Sequence, residues 1–475
     1  MPDELCFLTA EQLAAEIRAR RLSPVEAVDA ALAQADRLNG QLNAIVTRCD
    51  ERARDAARAA ETAVMRGEDL PPLLGVPITV KDLHLTAGIR TTLGSKLFED
   101  FVPHNDQPIV ERLKRAGAII IGKTNTSEFG LIPLAANALF GESNNPWDLT
   151  YNTGGSSGGA AAAVACGMGP LATASDGGGS IRIPASFCGV FGLKPQMGRV
   201  PHVPFPRGWE SLSHQGVLSR TVRDTALALD VLAGAHRLDR WSLPTTGRSF
   251  LEACTGDARG LRLAWCPRLG NLPVEHQVMA VCQQAAEHFE ALGCHVTPLE
   301  LDLPDLGPAQ QTIVLCEAAV GMQARRAEWE QTIFPPTRKM LPNADKLTYY
   351  DLVKANWARE EYWERFSPVF DQFDAVLTPT APITATLNGT LGPRVIEEQT
   401  VRALSWLGHV VPANMTWQPA ASLPVGFDGQ NLPVGLQIIG RQHDEWTVLR
   451  LASAYEAAHP WTDKRPPIVA QKGSS

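Results

Sequence analysis

The sequence predicts an α/β fold: one large domain built on a largely parallel sheet covered by helices. Three observations carry that expectation. Short apolar runs alternate with amphipathic helical segments along most of the chain, the pattern of strands joined by crossover helices. No internal repeat, low-complexity tract or long linker interrupts the 475 residues, so one domain is preferred to two. Hydrophobic residues make up 44% and charged residues 20%, enough apolar material for a sizeable core.

The N-terminal 70 residues read as helices. Thr9 with Gln12, and Ser23 with Glu26 around Pro24, are two capping boxes opening successive amphipathic segments. The second helix is expected to stop near the turn signal Asn39-Gly40, and a third to run from Asp50 to Met65. Residues 71–240 read as the core of the fold. Val76 to Val80 form a buried strand ending in Lys81-Asp82, a helix spans Gln107 to Arg115, and A-I-I-I-G-K-T-N gives a strand and loop. F-C-G-V-F-G-L-K-P-Q-M-G-R-V-P reads as a strand pair with turns, followed by a helix from Ser219 to Gly234. Strand, helix and strand recur at Leu261 to Cys266, Val274 to Leu292 and Cys294 to Leu299. Residues Pro308 to Phe373 are helical and aromatic-rich, and the region 300–410 is expected to line a pocket. Strands at Asp374 to Pro382, Ala421 to Pro424 and Val434 to Ile439, then a helix from Glu445 to Ala458, close the chain.

The stretch Thr153 to Pro184 is where chemistry is expected. Two serine-glycine clusters flank an alanine-rich helix, Gly158 to Cys166, for which Ser157 is the expected N-cap. In the second cluster three glycines precede Ser180, and such a run can turn several N–H groups toward one point. A hydroxyl beside converging N–H donors supplies the two needs of acyl transfer, a nucleophile and an oxyanion site.

Two motifs in the chain mimic other chemistries. Gly117 to Thr124 matches G-x-x-x-x-G-K-[ST] letter for letter, which would make the chain a P-loop nucleotide binder. Its variable residues are Ala-Ile-Ile-Ile, however, which favour extended strand rather than a phosphate-wrapping bend. Gly155 to Gly159 is formally a G-x-S-x-G elbow with Ser157 as nucleophile, but no apolar strand precedes it. Its histidine would come from His409, His443 or His459, none of which has a distinguishing context. A third arrangement fits better. A lysine kept from water can be neutral at working pH and act as a base. A serine hydroxyl both donates and accepts, so it can relay a proton. Ser180 is then the nucleophile, Ser156 the relay and Lys81 the base, with the amides of Gly177, Gly178, Gly179 and Ser180 as the oxyanion hole.

The stretches G-G-S-S-G-G-A-A-A-A-V-A and S-D-G-G-G-S-I-R-I-P-A-S-F-C-G-V-F-G-L-K-P resemble the amidase signature family of serine hydrolases. The resemblance extends through V-K-D, G-K-T-N-T-S-E-F, N-P-W-D-L and L-S-R-T-V-R-D, and resumes at L-T-P-T-A-P, N-M-T-W-Q-P-A-A-S-L-P-V-G and P-V-G-L-Q-I-I-G. It implies a single α/β domain with a twisted mixed sheet flanked by helices. It also implies a Ser–cis-Ser–Lys triad that cleaves amide bonds through an acyl-enzyme without metal or organic cofactor. The family's lysine, cis-serine and nucleophile fall on Lys81, Ser156 and Ser180. Asp176 and Arg182 are expected to pair and brace the loop, with Asn125, Glu128 and Arg199 as further supports. Gly130, Leu131, Gly155 and Trp417 are the expected substrate-contacting positions. The chain departs from the family pattern at Gly177, Thr153 and Trp417, which leaves the triad intact and touches the substrate. A catalytic subunit of a glutamine-dependent tRNA amidotransferase is the alternative within the same resemblance.

A net charge of −8 with no lysine-arginine block argues against a nucleic-acid surface. Nine scattered cysteines without CxxC spacing point to free thiols in a reducing compartment rather than to zinc or disulfides. No run of 18 apolar residues occurs, so a cytoplasmic, non-membrane protein is expected. Its partners are then a small amide or carbamate substrate and, for assembly, a second copy in a homodimer.

Overall fold

In the computed structural model, which describes residues 2–269 and 272–470, an 11-stranded sheet runs through the whole molecule. Met1 and residues 471–475, the ends of the expected 1–475 domain, lie outside the described residues. The strands are β1 (Ile45–Arg48), β2 (Pro77–Lys81), β3 (Ile119–Thr124), β4 (Leu171–Asp176), β5 (Phe191–Lys194) and β6 (His214–Ser219). They continue as β7 (Arg262–Trp265), β8 (His295–Pro298), β9 (Ala375–Pro379), β10 (Ala420–Phe427) and β11 (Pro433–Gly440). Their spatial order is β1-β3-β2-β4-β6-β5-β10-β11-β9-β7-β8. Only β3/β2, β2/β4, β9/β7 and β7/β8 pair in parallel. The other six pairings are antiparallel, so the largely parallel sheet read from the strand-helix alternation gives way to the mixed sheet that the family resemblance implies. Five of the six involve β5, β6, β10 or β11, and the sixth is the edge strand β1 against β3.

Side-chain alternation shows how the sheet is covered. Leu263, Trp265, Ala375, Leu377 and Ile438 join one apolar cluster with the helices Val222–Leu232, His276–Ala291 and Glu445–Ala458. Their neighbours Ala264, Val376 and Ile439 join another with Ile313, Val314, Trp329, Tyr362 and Phe366 of the 307–366 helices. Successive residues of a strand face opposite sides, so both faces of this part of the sheet are buried under helices.

Both N-terminal capping boxes are formed, at Thr9 and at Ser23. The second helix overruns Asn39-Gly40 and ends at Leu42, where Asn43 takes the left-handed conformation (φ 50°). Asn39 instead receives the N–H groups of Ala44 and Ile45, leading the chain into β1, an edge strand that the helical reading of the N-terminus missed. The expected strand pair after Phe187 is also corrected. Arg182–Cys188 is a helix, and Phe191–Lys194 pairs with the more distant β6 and β10. No disulfide forms among the described cysteines, and seven of the nine are buried. Among the described residues no helix is long and apolar enough to cross a membrane.

Candidate active site

The parallel register of β2 and β4 sets the site. Ile78 pairs with Leu171 and Thr79 with Ala172, so the carboxyl ends of these adjacent strands emerge together. Lys81 closes β2, and Ser175-Asp176 close β4. Open sheets bind ligands at such strand ends. The helix Gly158–Ala165 brings Ser156 and Ser157 to the same place, and it can lie this deep because every one of its side chains is small.

Lys81 Nζ is buried and lies 2.7 Å from Ser156 Oγ, 2.7 Å from Ser157 Oγ and 3.0 Å from Ser175 Oγ. Burial lowers its pKa from the ordinary lysine range to about 7, against the pull of the Asp176 charge. An ammonium group would donate to all three hydroxyls. A neutral amine has two hydrogens and a lone pair, so one hydroxyl must then donate to it. Ser157 therefore occupies the N-cap position without capping: its hydroxyl serves Lys81 and Ser175 O instead. It meets no histidine, which removes the elbow reading. His409 is buried against Pro379 O, His459 stacks on His288 at 3.9 Å, and His443 follows β11.

The Gly155-Ser156 peptide is cis. A Cβ at Gly155 would stand 2.4 Å from the Leu134 backbone, so only glycine lets the two chain segments approach this closely. Gly155 thus packs against Leu134, and it is not among the residues that line the cavity beside Ser180.

Ser180 follows three glycines and lines a cavity of about 360 Å³ with Gly130, Leu131, Gly178, Trp209 and Gln310. Its hydroxyl has no hydrogen-bond partner among the described residues and is open to that cavity. Lys81 and Ser156 are joined by a hydrogen bond; Ser156 and Ser180 are not. The loop behind Ser180 is fixed by Asp176. Its carboxylate accepts from Gly179 N (2.7 Å), Ile181 N (3.1 Å), Arg182 Nε (2.9 Å), Arg182 Nη2 (2.9 Å) and Asn414 Nδ2 (2.9 Å). Burial alone would raise the Asp176 pKa; the charge and hydrogen bonds of Arg182, helped by Lys194 and Asn414, hold it well below the usual carboxylate range. Arg182 in turn donates to Val410 O at 2.8 Å and Gln437 Oε1 at 2.6 Å, tying the loop to β11.

This network corrects the expected oxyanion hole. The Gly179 N–H is spent on Asp176, which leaves the amides of Gly177, Gly178 and Ser180 without protein acceptors among the described residues. Trp417 is corrected as well. Its indole donates to Ser211 O at 2.7 Å and lies near Trp241 and Arg359; Trp417 is not among the residues lining the cavity, where Trp209 supplies the aromatic wall. Gly130 and Leu131 do line it. The supports hold their places: Glu128 accepts from Ser95 Oγ at 2.7 Å and Phe334 N at 2.9 Å, Arg199 pairs with Glu445 at 3.0 Å, and Asn125 bonds Asn137 at 2.8 Å. All but the first two residues of the P-loop lookalike form strand β3, and Lys123 points into protein, donating to His84 O at 2.6 Å and Thr91 Oγ1 at 2.8 Å. Among the described residues no cluster of three or more His, Cys, Asp or Glu side chains is placed to ligate a metal.

Sequence reasoning missed the contact of Ser157 with Lys81, and it missed Ser175, Asn414, Gln437 and Gln310 altogether. Ser157, Ser175, Asn414 and Gln437 lie within stretches that carried the family resemblance, a usable signal. Gln310 is an ordinary polar residue until the fold assembles it.

The model of the amidase family matches residues 26–449. An acylamidase of Rhodococcus erythropolis is 37% identical over 470 residues, covering 97% of this chain and 98% of the relative. A glutamyl-tRNA(Gln) amidotransferase subunit of Moorella thermoacetica is 36% identical over 491 residues, covering 98% of this chain and 99% of the relative. The crystal structure of a bacterial aryl acylamidase of the amidase signature family superposes with a TM-score of 0.92 at 30% identity, covering 98% of this chain and 99% of that one. The chain belongs to the amidase family and is an amide hydrolase.

Proposed function

Starting from that membership, we propose that the chain hydrolyses a small, uncharged carboxamide or anilide through an acyl-enzyme on Ser180. One observation carries the reading: a fully buried Lys81 amine, with its pKa near 7, stands 2.7 Å from the Ser156 hydroxyl beside the cavity that Ser180 lines. Ser180 Oγ attacks the substrate carbonyl while its proton passes to Ser156 and the Ser156 proton to Lys81. Closure of the Ser156–Ser180 hydrogen bond accompanies substrate binding, since catalytic contacts often tighten only in the complex. The oxyanion is held by the amides of Gly177, Gly178 and Ser180. Lys81 and Ser156 then return the proton to the leaving nitrogen as its bond to the acyl carbon breaks. Water repeats the sequence, releasing the acid and restoring Ser180.

Substrate neutrality follows from the lining. Asp305 and Arg402, the only charged residues among the described residues lining the cavity, are paired with each other. Leu131, Ile132, Val314, Leu407 and Val411 offer an apolar surface. Carbamates and esters present the same carbonyl and are included as side substrates. The absence of any disulfide among the described cysteines favours a cytoplasmic enzyme, and a homodimer is its proposed assembly.

Likeness to the amidotransferase chain supports a second reading, in which partner chains and glutamine are required. Incubating the purified chain with a panel of anilides, aliphatic amides, carbamates and esters separates the two. Amine release without glutamine or partners, with acyl trapped on Ser180 and lost in Ser180→Ala, is the expected result. Turnover that needs glutamine and partner chains would replace the first reading by the second.

A further inference from the structure

The cavity presses two side chains onto the loop that carries the oxyanion donors. Trp209 is anchored by its indole N–H, which donates to Phe129 O at 3.1 Å. A Cβ at Gly177 would stand 2.6 Å from two of its ring carbons, so the indole fills the space a side chain at 177 would need. From the other side Gln310, in the helix Gly307–Gly321, donates Nε2 to Gly177 O at 3.4 Å. A Cβ at Gly178 would stand 2.8 Å from that same nitrogen. Both side chains line the cavity together with Ser180.

The geometry of the peptide unit gives these contacts a consequence. In a trans peptide the C=O and the following N–H point in opposite directions. Drawing the Gly177 carbonyl toward Gln310 therefore turns the Gly178 N–H away from it, and that N–H has no acceptor among the described residues. A glycine pair would otherwise flip this peptide at little cost, because neither residue has a Cβ to resist it. Trp209 blocks movement on the Gly177 side, and Gln310 holds the carbonyl on the other.

We propose that Trp209 and Gln310 are positioning residues that clamp the Gly177-Gly178 peptide and aim the Gly178 N–H at the oxyanion, with the Trp209 indole serving as the wall against which a flat acyl group rests. This rests on the acyl-enzyme reading of Ser180. It also accounts for Gly177: the side chain absent there is replaced by an aromatic ring supplied from residue 209.

Gln310→Ala is expected to lower kcat about tenfold to a hundredfold with KM changed less than about threefold, since a donor acting in the transition state is weakened. Gln310→Glu gives the diagnostic readout. A protonated carboxyl can donate to the Gly177 carbonyl and an ionised one repels it, so the ratio of variant to wild-type kcat should fall as pH rises. A residue that merely packs would give a ratio independent of pH. Gly177→Thr should lose activity by collision with Trp209, and Gly177→Thr/Trp209→Ala should recover kcat on an aliphatic amide while losing the preference for an aromatic acyl group. A fluorophosphonate label on Ser180 separates the levels of failure. If wild type does not label, the acyl-enzyme reading falls and takes the clamp with it. If wild type labels and Gln310→Ala and Gln310→Glu match it in rate at every pH, the clamp alone is overturned.

Discussion

Lys81 and Lys123 sit on neighbouring strands, each at the end of an apolar run and each buried, yet we propose opposite roles for them. In the β2/β3 register Lys81 pairs with Thr124, and Lys123 with Val80. Lys123 donates to a carbonyl and two threonine hydroxyls and stands 3.7 Å from the buried carboxylate of Asp82. Burial lowers its pKa to about 8, with Asp82 pulling the other way. Among the described residues Lys81 Nζ has only serine hydroxyls within 3.0 Å, and the opposing charge that acts on it, Asp176, is committed to Arg182. Around Lys123 the carbonyl can only accept, and the Thr86 and Thr91 hydroxyls spend their protons on His84 O and Ile89 O, whereas the Ser156 hydroxyl can hand its proton to Lys81. The difference teaches that burial alone does not make a base. The partner set must let the lysine lose its proton and leave it a route to the reacting atom.

The strongest way to break this contrast is to exchange the outcomes of mutation. Lys81→Met and Ser180→Ala are each expected to cut kcat/KM by about ten-thousand-fold or more while leaving circular dichroism unchanged. Lys123→Met should instead destabilise by about 3 kcal/mol, because it strands a buried Asp82 carboxylate. Urea unfolding of both lysine variants reads this directly. If Lys123→Met folded normally and were catalytically dead, the assignment of roles would be reversed.

A smaller effect sharpens the comparison through pH. The folded pKa of Lys81 is depressed, so the neutral base is present above about 7 and disappears below it. The kcat/KM should therefore rise with pH through that value and level off on the alkaline side. The smallest effect is on stability. Between pH 7 and the ordinary lysine pKa the unfolded chain binds a proton that the folded chain does not, so Lys81 opposes folding at neutral pH and does so less as pH rises. Lys81→Met should then raise Tm by roughly 1–3 °C, a gain that shrinks toward alkaline pH.

The sequence made the overall class readable because it leaves local traces, whereas two of the three proposed triad positions were marginal locally and rested on the family resemblance. Capping boxes mark the first two helices, and the Gly-Gly-Ser clusters mark both serines. The strand order was not readable. His214–Ser219 is short and polar at its start, and it counts as a strand only because it lies between β4 and β5. The helix reading that swallowed Ser219 began too early, since Thr221 is the cap that fixes its start. The lysine contacts of Ser157 and Ser175 escaped notice for a similar reason. Nothing beside them in the chain announces a lysine, which arrives from residue 81 when two parallel strands align. Gly179 shows the converse, a donor predicted from its neighbours and then taken by a carboxylate three residues away.

The most direct measurement is the rate of Ser180 acylation by a fluorophosphonate as a function of pH, in wild type and in Lys81→Met. The wild-type rate should climb with pH to a half-maximum near 7, and the variant should stay slow throughout. A wild-type rate that is flat from about pH 6 to 9, or a variant that labels as fast as wild type, would contradict a neutral Lys81 as the base.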